Sequence, residues 1–158
     1  MDSSDIQRIR HIREYCKRIA ATVERYGENY DTFLSDGDYF DSVSMKIMQI
    51  GELAGGLSDK FRAETKDQMQ WGAIRGMRNF FAHTYAAMDK KIVWDVAVQD
   101  IPGLLRFCDR VIERDMAGKT APTITGEKPS VMDKLKEARE SPGQAGRGKK
   151  TGRNEPEL

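Results

Sequence analysis

The sequence predicts an all-α fold: an antiparallel helical bundle of about four to five helices over residues 1–116. Two observations carry this. Apolar residues recur at spacings of three and four, and the sustained period-2 alternation of a half-buried strand is absent. A third observation sets the boundary. Four of the five prolines and six of the fourteen glycines lie beyond residue 116, and no aromatic residue follows Phe107. Residues 117–158 therefore read as a mostly disordered tail, because such a segment cannot offset the entropy of ordering itself. Within it, residues 130–140 (SVMDKLKEARE) offer only a short, marginal helix. Residues 146–153 (GRGKKTGR) are either a solvated basic stretch or a weak, salt-sensitive attractor of RNA or an acidic partner.

Each element follows from its stripe. Ile6, Ile9, Cys16, Ile19, Ala20, Val23 and Tyr30 mark one face of a long first helix, with Ser3 or Ser4 as its N-cap. Gly27 and Glu28 weaken or end it. Tyr30, Phe33 and Leu34 fit a short turn of helix capped by Asp31 and interrupted by Gly37. A third helix spans about 38–57 through Phe40, Val43, Ile47, Ile50, Ala54 and Leu57. Its Gly51, Gly55 and Gly56 lower helix propensity, and close helix approach is the expected compensation. A fourth helix covers about 70–85, with Trp71, Ile74, Met77 and Phe81 inward. A fifth covers about 90–116, and Pro102 should kink or divide it.

Composition narrows the function classes. The chain has 158 residues, enough to bury a core without staples. Its net charge of +1, from 26 basic and 25 acidic residues, excludes a grossly basic nucleic-acid binder but not a local basic patch. No apolar run approaches the roughly 18–20 residues of a membrane helix, and the N-terminus is charged where a signal peptide is apolar. The expectation is a soluble, cytoplasmic protein with no membrane partner. Cys16 and Cys108 make neither a disulfide framework nor a metal cluster, and both fall on apolar stripes as buried thiols. No metal-ligand motif and no cofactor motif is visible, so none of either is expected.

Acid–base chemistry near neutral pH points to histidine, and there are two. His11 lies among Arg8, Arg10 and Arg13 with no evident carboxylate to orient it, and reads as a surface residue. His83 lies in GMRNFFAHTY, residues 76–85. Arg75, Asn79 and His83 stack at i, i+4 and i+8 on a helix, while Arg78 and His83 are five apart, about 140° around the axis. These two point to one spot only if the helix ends near His83 or two subunits share the site. An imidazole suits removal of a proton from an RNA 2′-OH, and arginine suits gripping the phosphate. One histidine cannot easily be both base and acid, whereas two copies across a two-fold axis can. Taken alone, Arg-x4-His is weak evidence, and a helix with an exposed arginine and a structural histidine accounts for it more simply.

Longer motifs add context. IGELAGGLSD (residues 50–59), WGAIRGMRNFFAHTY (71–85) and KIVWDVAVQDIPGLL (91–105) occur in this order. Over residues 40–112 the chain resembles the HepT-like ribonucleases of the HEPN superfamily, toxins of two-gene toxin–antitoxin pairs. The resemblance implies a HEPN-type helical fold and a homodimer with two Arg-x4-His motifs facing a shared cleft. It places the catalytic pair on Arg78 and His83, with Asn79 as the polar residue after the arginine. It places on Tyr85 the tyrosine to which a partner nucleotidyltransferase antitoxin, of the minimal MNT type, transfers AMP. A nucleotide there adds bulk and negative charge where an RNA phosphate must sit. Tyr85 also reads as a core or interface aromatic. Phe80-Phe81-Ala82 and Thr84 depart from the usual pattern without removing a reacting group, although Thr84 replaces a common acidic residue beside Tyr85. Glu52 is either a supporting partner of Arg78 across the helix pair or an ordinary surface carboxylate. Arg75 either adds phosphate affinity or is only solvated. Trp71 and Trp94 read as core or interface anchors. The implied function is a metal-independent endoribonuclease toxin acting on RNA. The alternatives are a non-catalytic helical dimer that binds nucleotide, RNA or a nucleotidyltransferase, and a structural dimer whose tail does the binding.

Overall fold

The computed structural model describes residues 1–84 and 87–118. Among these residues the fold is all-helical: α1 (Ser3–Tyr26), α2 (Tyr30–Ser35), α3 (Gly37–Gly55), α4 (Asp59–Glu64), α5 (Trp71–Thr84), α6 (Lys90–Asp95), a π-helical stretch (Val96–Asp100) and α7 (Ile101–Met116). Four helices are long, and they correspond to the long stripes of the sequence. The expected tail falls almost wholly at residues 119–158, outside the described residues. No described helix is long and apolar enough to cross a membrane.

The long helices bury their stripes against one another. α1 packs on both α3 and α7, and α3 packs on α5. Ile9, Ile12, Cys16 and Ile19 of α1 are fully buried, whereas Ala20, expected on that stripe, is exposed. Tyr30 belongs to α2 and not to the first helix. Cys16 and Cys108 are free, buried thiols. Burial raises the Cys16 thiol to about 12, with Asp109 adding to the shift. Burial likewise raises Cys108 well above 9.0.

Several ends differ from the sequence expectation. The N-cap of α1 is Asp2, whose carboxylate accepts from the Ser4 N–H at 2.9 Å; neither Ser3 nor Ser4 caps. A carboxylate here also complements the helix dipole. Asn29, not Asp31, caps α2, accepting from the Thr32 N–H at 3.0 Å. Gly37 does not interrupt a helix but opens α3, because Asp36 caps it through the Tyr39 N–H. Gly27 ends α1 at φ 94°, a conformation glycine adopts without Cβ strain.

α4 was not foreseen. Its start is fixed from α1: buried Asp5 accepts from both the Ser58 N–H at 2.8 Å and the Ser58 hydroxyl at 2.6 Å. The Ser58 Oγ in turn accepts from the Phe61 N–H. Pro102 divides the last helix as expected. It has no N–H, and the chain enters α7 through the π stretch, with the Ile101 N–H bonded to the Val96 carbonyl five residues back. Both tryptophans are core residues. Trp71 packs beside Phe61 and Phe107, and Trp94 beside Tyr30, Phe33 and Tyr39.

Candidate active site

The site is built on the seam between α3 and α5. Trp71 anchors the start of α5: its indole N–H donates to the Thr65 hydroxyl at 2.8 Å, and that hydroxyl donates to the Phe61 carbonyl at 2.7 Å. Ile74, Met77 and Phe81 follow at helical spacing and are buried. With that face inward, Arg75, Arg78 and Asn79 are exposed.

Gly51 brings the two helices together. A Cβ there would stand 3.0 Å from the Ile74 carbonyl oxygen and 3.1 Å from the Arg78 nitrogen, so a side chain at this crossing would have to push the α5 backbone back by a few tenths of an ångström. The close approach expected from the sequence holds for Gly51, against the backbone of α5, and for Gly56, against a side chain of α1, and not for Gly55. A Cβ on Gly55 would meet nothing within 4 Å, while one on Gly56 would meet the Arg8 side chain from α1.

One residue beyond Gly51, Glu52 pairs its Oε1 with the Nε of Arg78. Glu52 therefore contacts Arg78 across the helix pair. Both side chains are roughly half exposed. The contact is through Nε, on a guanidinium that carries four further N–H donors on its Nη atoms. They suit a bidentate grip on a phosphate or carboxylate. Beside the pair runs an open groove of about 640 Å³, lined by Gly51, Glu52, Gly55, Gly56, Gly72, Arg75, Gly76, Arg78 and Asn79. Gly72 and Gly76 were not singled out from the sequence. Their signal was a second four-residue glycine spacing, parallel to Gly51 and Gly55 across the seam.

His83 lies in the last turn of α5, which ends at Thr84. Tyr85 lies outside the described residues. His11 is exposed on α1. Among the described residues no group of three or more His, Cys, Asp or Glu side chains is placed to hold a metal ion.

Fold and site together define a helical domain carrying an arginine-rimmed groove between α3 and α5. The family model for "Ribonuclease HepT-like" matches residues 8–111, and the chain belongs to the HepT-like ribonuclease family. It is similar to a protein of Caldanaerobacter subterraneus subsp. tengcongensis named "Putative RNase TTE0752". The two are 24% identical over 107 residues, covering 68% of this chain and 93% of the relative. No solved structure gives a significant match.

Proposed function

We propose that the protein is a metal-independent endoribonuclease, the toxin of a toxin–antitoxin pair, acting as a homodimer. The observation that carries this is Arg78, paired with Glu52 on the rim of an open groove, with His83 five residues further along the same helix. Family membership supports RNA as the substrate.

In this reading the His83 imidazole of one subunit takes the proton of an RNA 2′-OH. The 2′-oxygen attacks the adjacent phosphorus, and the bond from phosphorus to the 5′-oxygen breaks. The imidazolium of the second copy protonates that leaving oxygen. Arg78 neutralises charge as it builds on the non-bridging oxygens. The products are a 2′,3′-cyclic phosphate and a 5′-hydroxyl. Asn79 supports the site as the polar neighbour of Arg78. An MNT-type nucleotidyltransferase antitoxin silences the enzyme by transferring AMP to Tyr85, whose added phosphate repels the RNA backbone.

Product-end analysis tests the mechanism. RNA cut by the purified protein in EDTA should carry cyclic phosphate ends, and a single 2′-deoxy substitution at the cut position should abolish cleavage there. Cleavage that persists at the 2′-deoxy position, or that leaves a 5′-phosphate, removes the 2′-OH mechanism.

A further inference from the structure

The groove is longer than one phosphate. Its lining residues on α5 run from Gly72 to Asn79, two helical turns and about 10 Å along the axis. Arg78 stands near one end of that stretch. Arg75 stands one turn back, about 5–6 Å from it between Cβ atoms, a spacing suited to two successive groups along one strand. Their electrostatic states differ. Glu52, the one carboxylate lining the groove, is engaged by Arg78. Arg75 is exposed and has no ion pair among the described residues. The groove thus keeps one uncompensated positive charge beside Arg78. Space matches charge. Beyond Arg75 the walls are Gly55 and Gly72, where a Cβ would meet nothing within 4 Å, so the width there serves no internal packing.

We infer that this groove is a subsite for the phosphate next to the scissile one. Arg78 holds the phosphate that is cut, Arg75 holds its neighbour, and the sugar between them lies against the glycine wall. The inference rests on the ribonuclease reading above and deepens it. The substrate is a run of single-stranded RNA carrying at least two phosphates, and a lone phosphodiester fills only half of the site.

The test is binding of uncleavable 2′-O-methyl RNA to the full-length protein, comparing a dinucleotide with a tetranucleotide. Wild type should bind the tetranucleotide at least about tenfold more tightly at low salt. Arg75→Gln should shrink that ratio to about twofold, and Arg75→Lys should keep most of it. The slope of log Kd against log salt for the tetranucleotide should fall by about 0.7 in Arg75→Gln, the loss of one single-strand phosphate contact. An unchanged length ratio in Arg75→Gln, or no length ratio in wild type, overturns the subsite. The ribonuclease reading fails separately. A protein that shows the Arg75-dependent ratio but cuts no RNA keeps the subsite and loses the nuclease.

Discussion

Glu52 Oε1 and Arg78 Nε are paired across the seam where Gly51 lets α3 and α5 meet. The two features are adjacent in sequence and serve one purpose. Gly51 lets the helices approach closely, and Glu52 pairs with the guanidinium across that approach.

Glu52→Gln keeps the side chain's shape and removes its charge. Stability should change by less than about 1 kcal/mol, because ion pairs between half-exposed groups contribute little. Cleavage should fall about tenfold, because Arg78 loses its anchor. Steady-state kinetics beside a thermal melt separates these effects. Full activity in Glu52→Gln makes the carboxylate a bystander.

The glycines divide by what surrounds them. Gly51→Ala should destabilise the fold by about 1–3 kcal/mol, since its methyl would press on backbone atoms of α5 that cannot move alone. Gly72→Ala meets open space and should leave stability unchanged or slightly raised. Chemical denaturation of the two variants checks the contrast. Equal effects would mean that the α3–α5 crossing is not set by Gly51.

The Asp5 carboxylate holds the start of α4 through two hydrogen bonds to Ser58. Asp5→Ala leaves that N–H and hydroxyl without their buried acceptor and should cost about 1–3 kcal/mol. Hydrogen exchange should show faster opening at residues 58–64 than in α7. Uniform acceleration across the chain would argue against a local latch.

Both cysteines should resist alkylation at pH 8 in the native state and react on unfolding, because burial holds them as neutral thiols. The pH dependence follows. Above the ordinary thiol value of 9.0 the unfolded chain releases the Cys16 proton, while the folded chain keeps it until about 12. The stability associated with the neutral thiol is complete below 9.0 and is lost as pH rises toward 12. A Cys16→Ala variant should lose stability less steeply over that window. Identical slopes would show that Cys16 does not contribute.

Much of this was legible in the sequence because long helices announce themselves by periodic burial. The stripes through Ile9, Ile47, Ile74 and Leu104 are core, and Pro102 marks a real break. The misses have two causes: competition between neighbouring polar groups, and dependence on residues far along the chain. Asp2 and Ser4 are both good caps, and only the carboxylate position decides between them. α4 has six residues, too few to show a period, and it depends on Asp5 from a distant part of the chain. At the site, Arg78 and Asn79 could be singled out by type and spacing. The identity of Arg78's partner, and the groove that Gly72 and Gly76 help to line, required the packing of α3 on α5.

The most direct test of the account is RNA cleavage in EDTA by wild type, Arg78→Ala and His83→Ala, each checked by mass spectrometry to be free of AMP on Tyr85. Cleavage by wild type, with each variant folded, dimeric and inactive, is the predicted result. Cleavage by His83→Ala at the wild-type rate, or none by unmodified dimeric wild type across several RNAs, would contradict it.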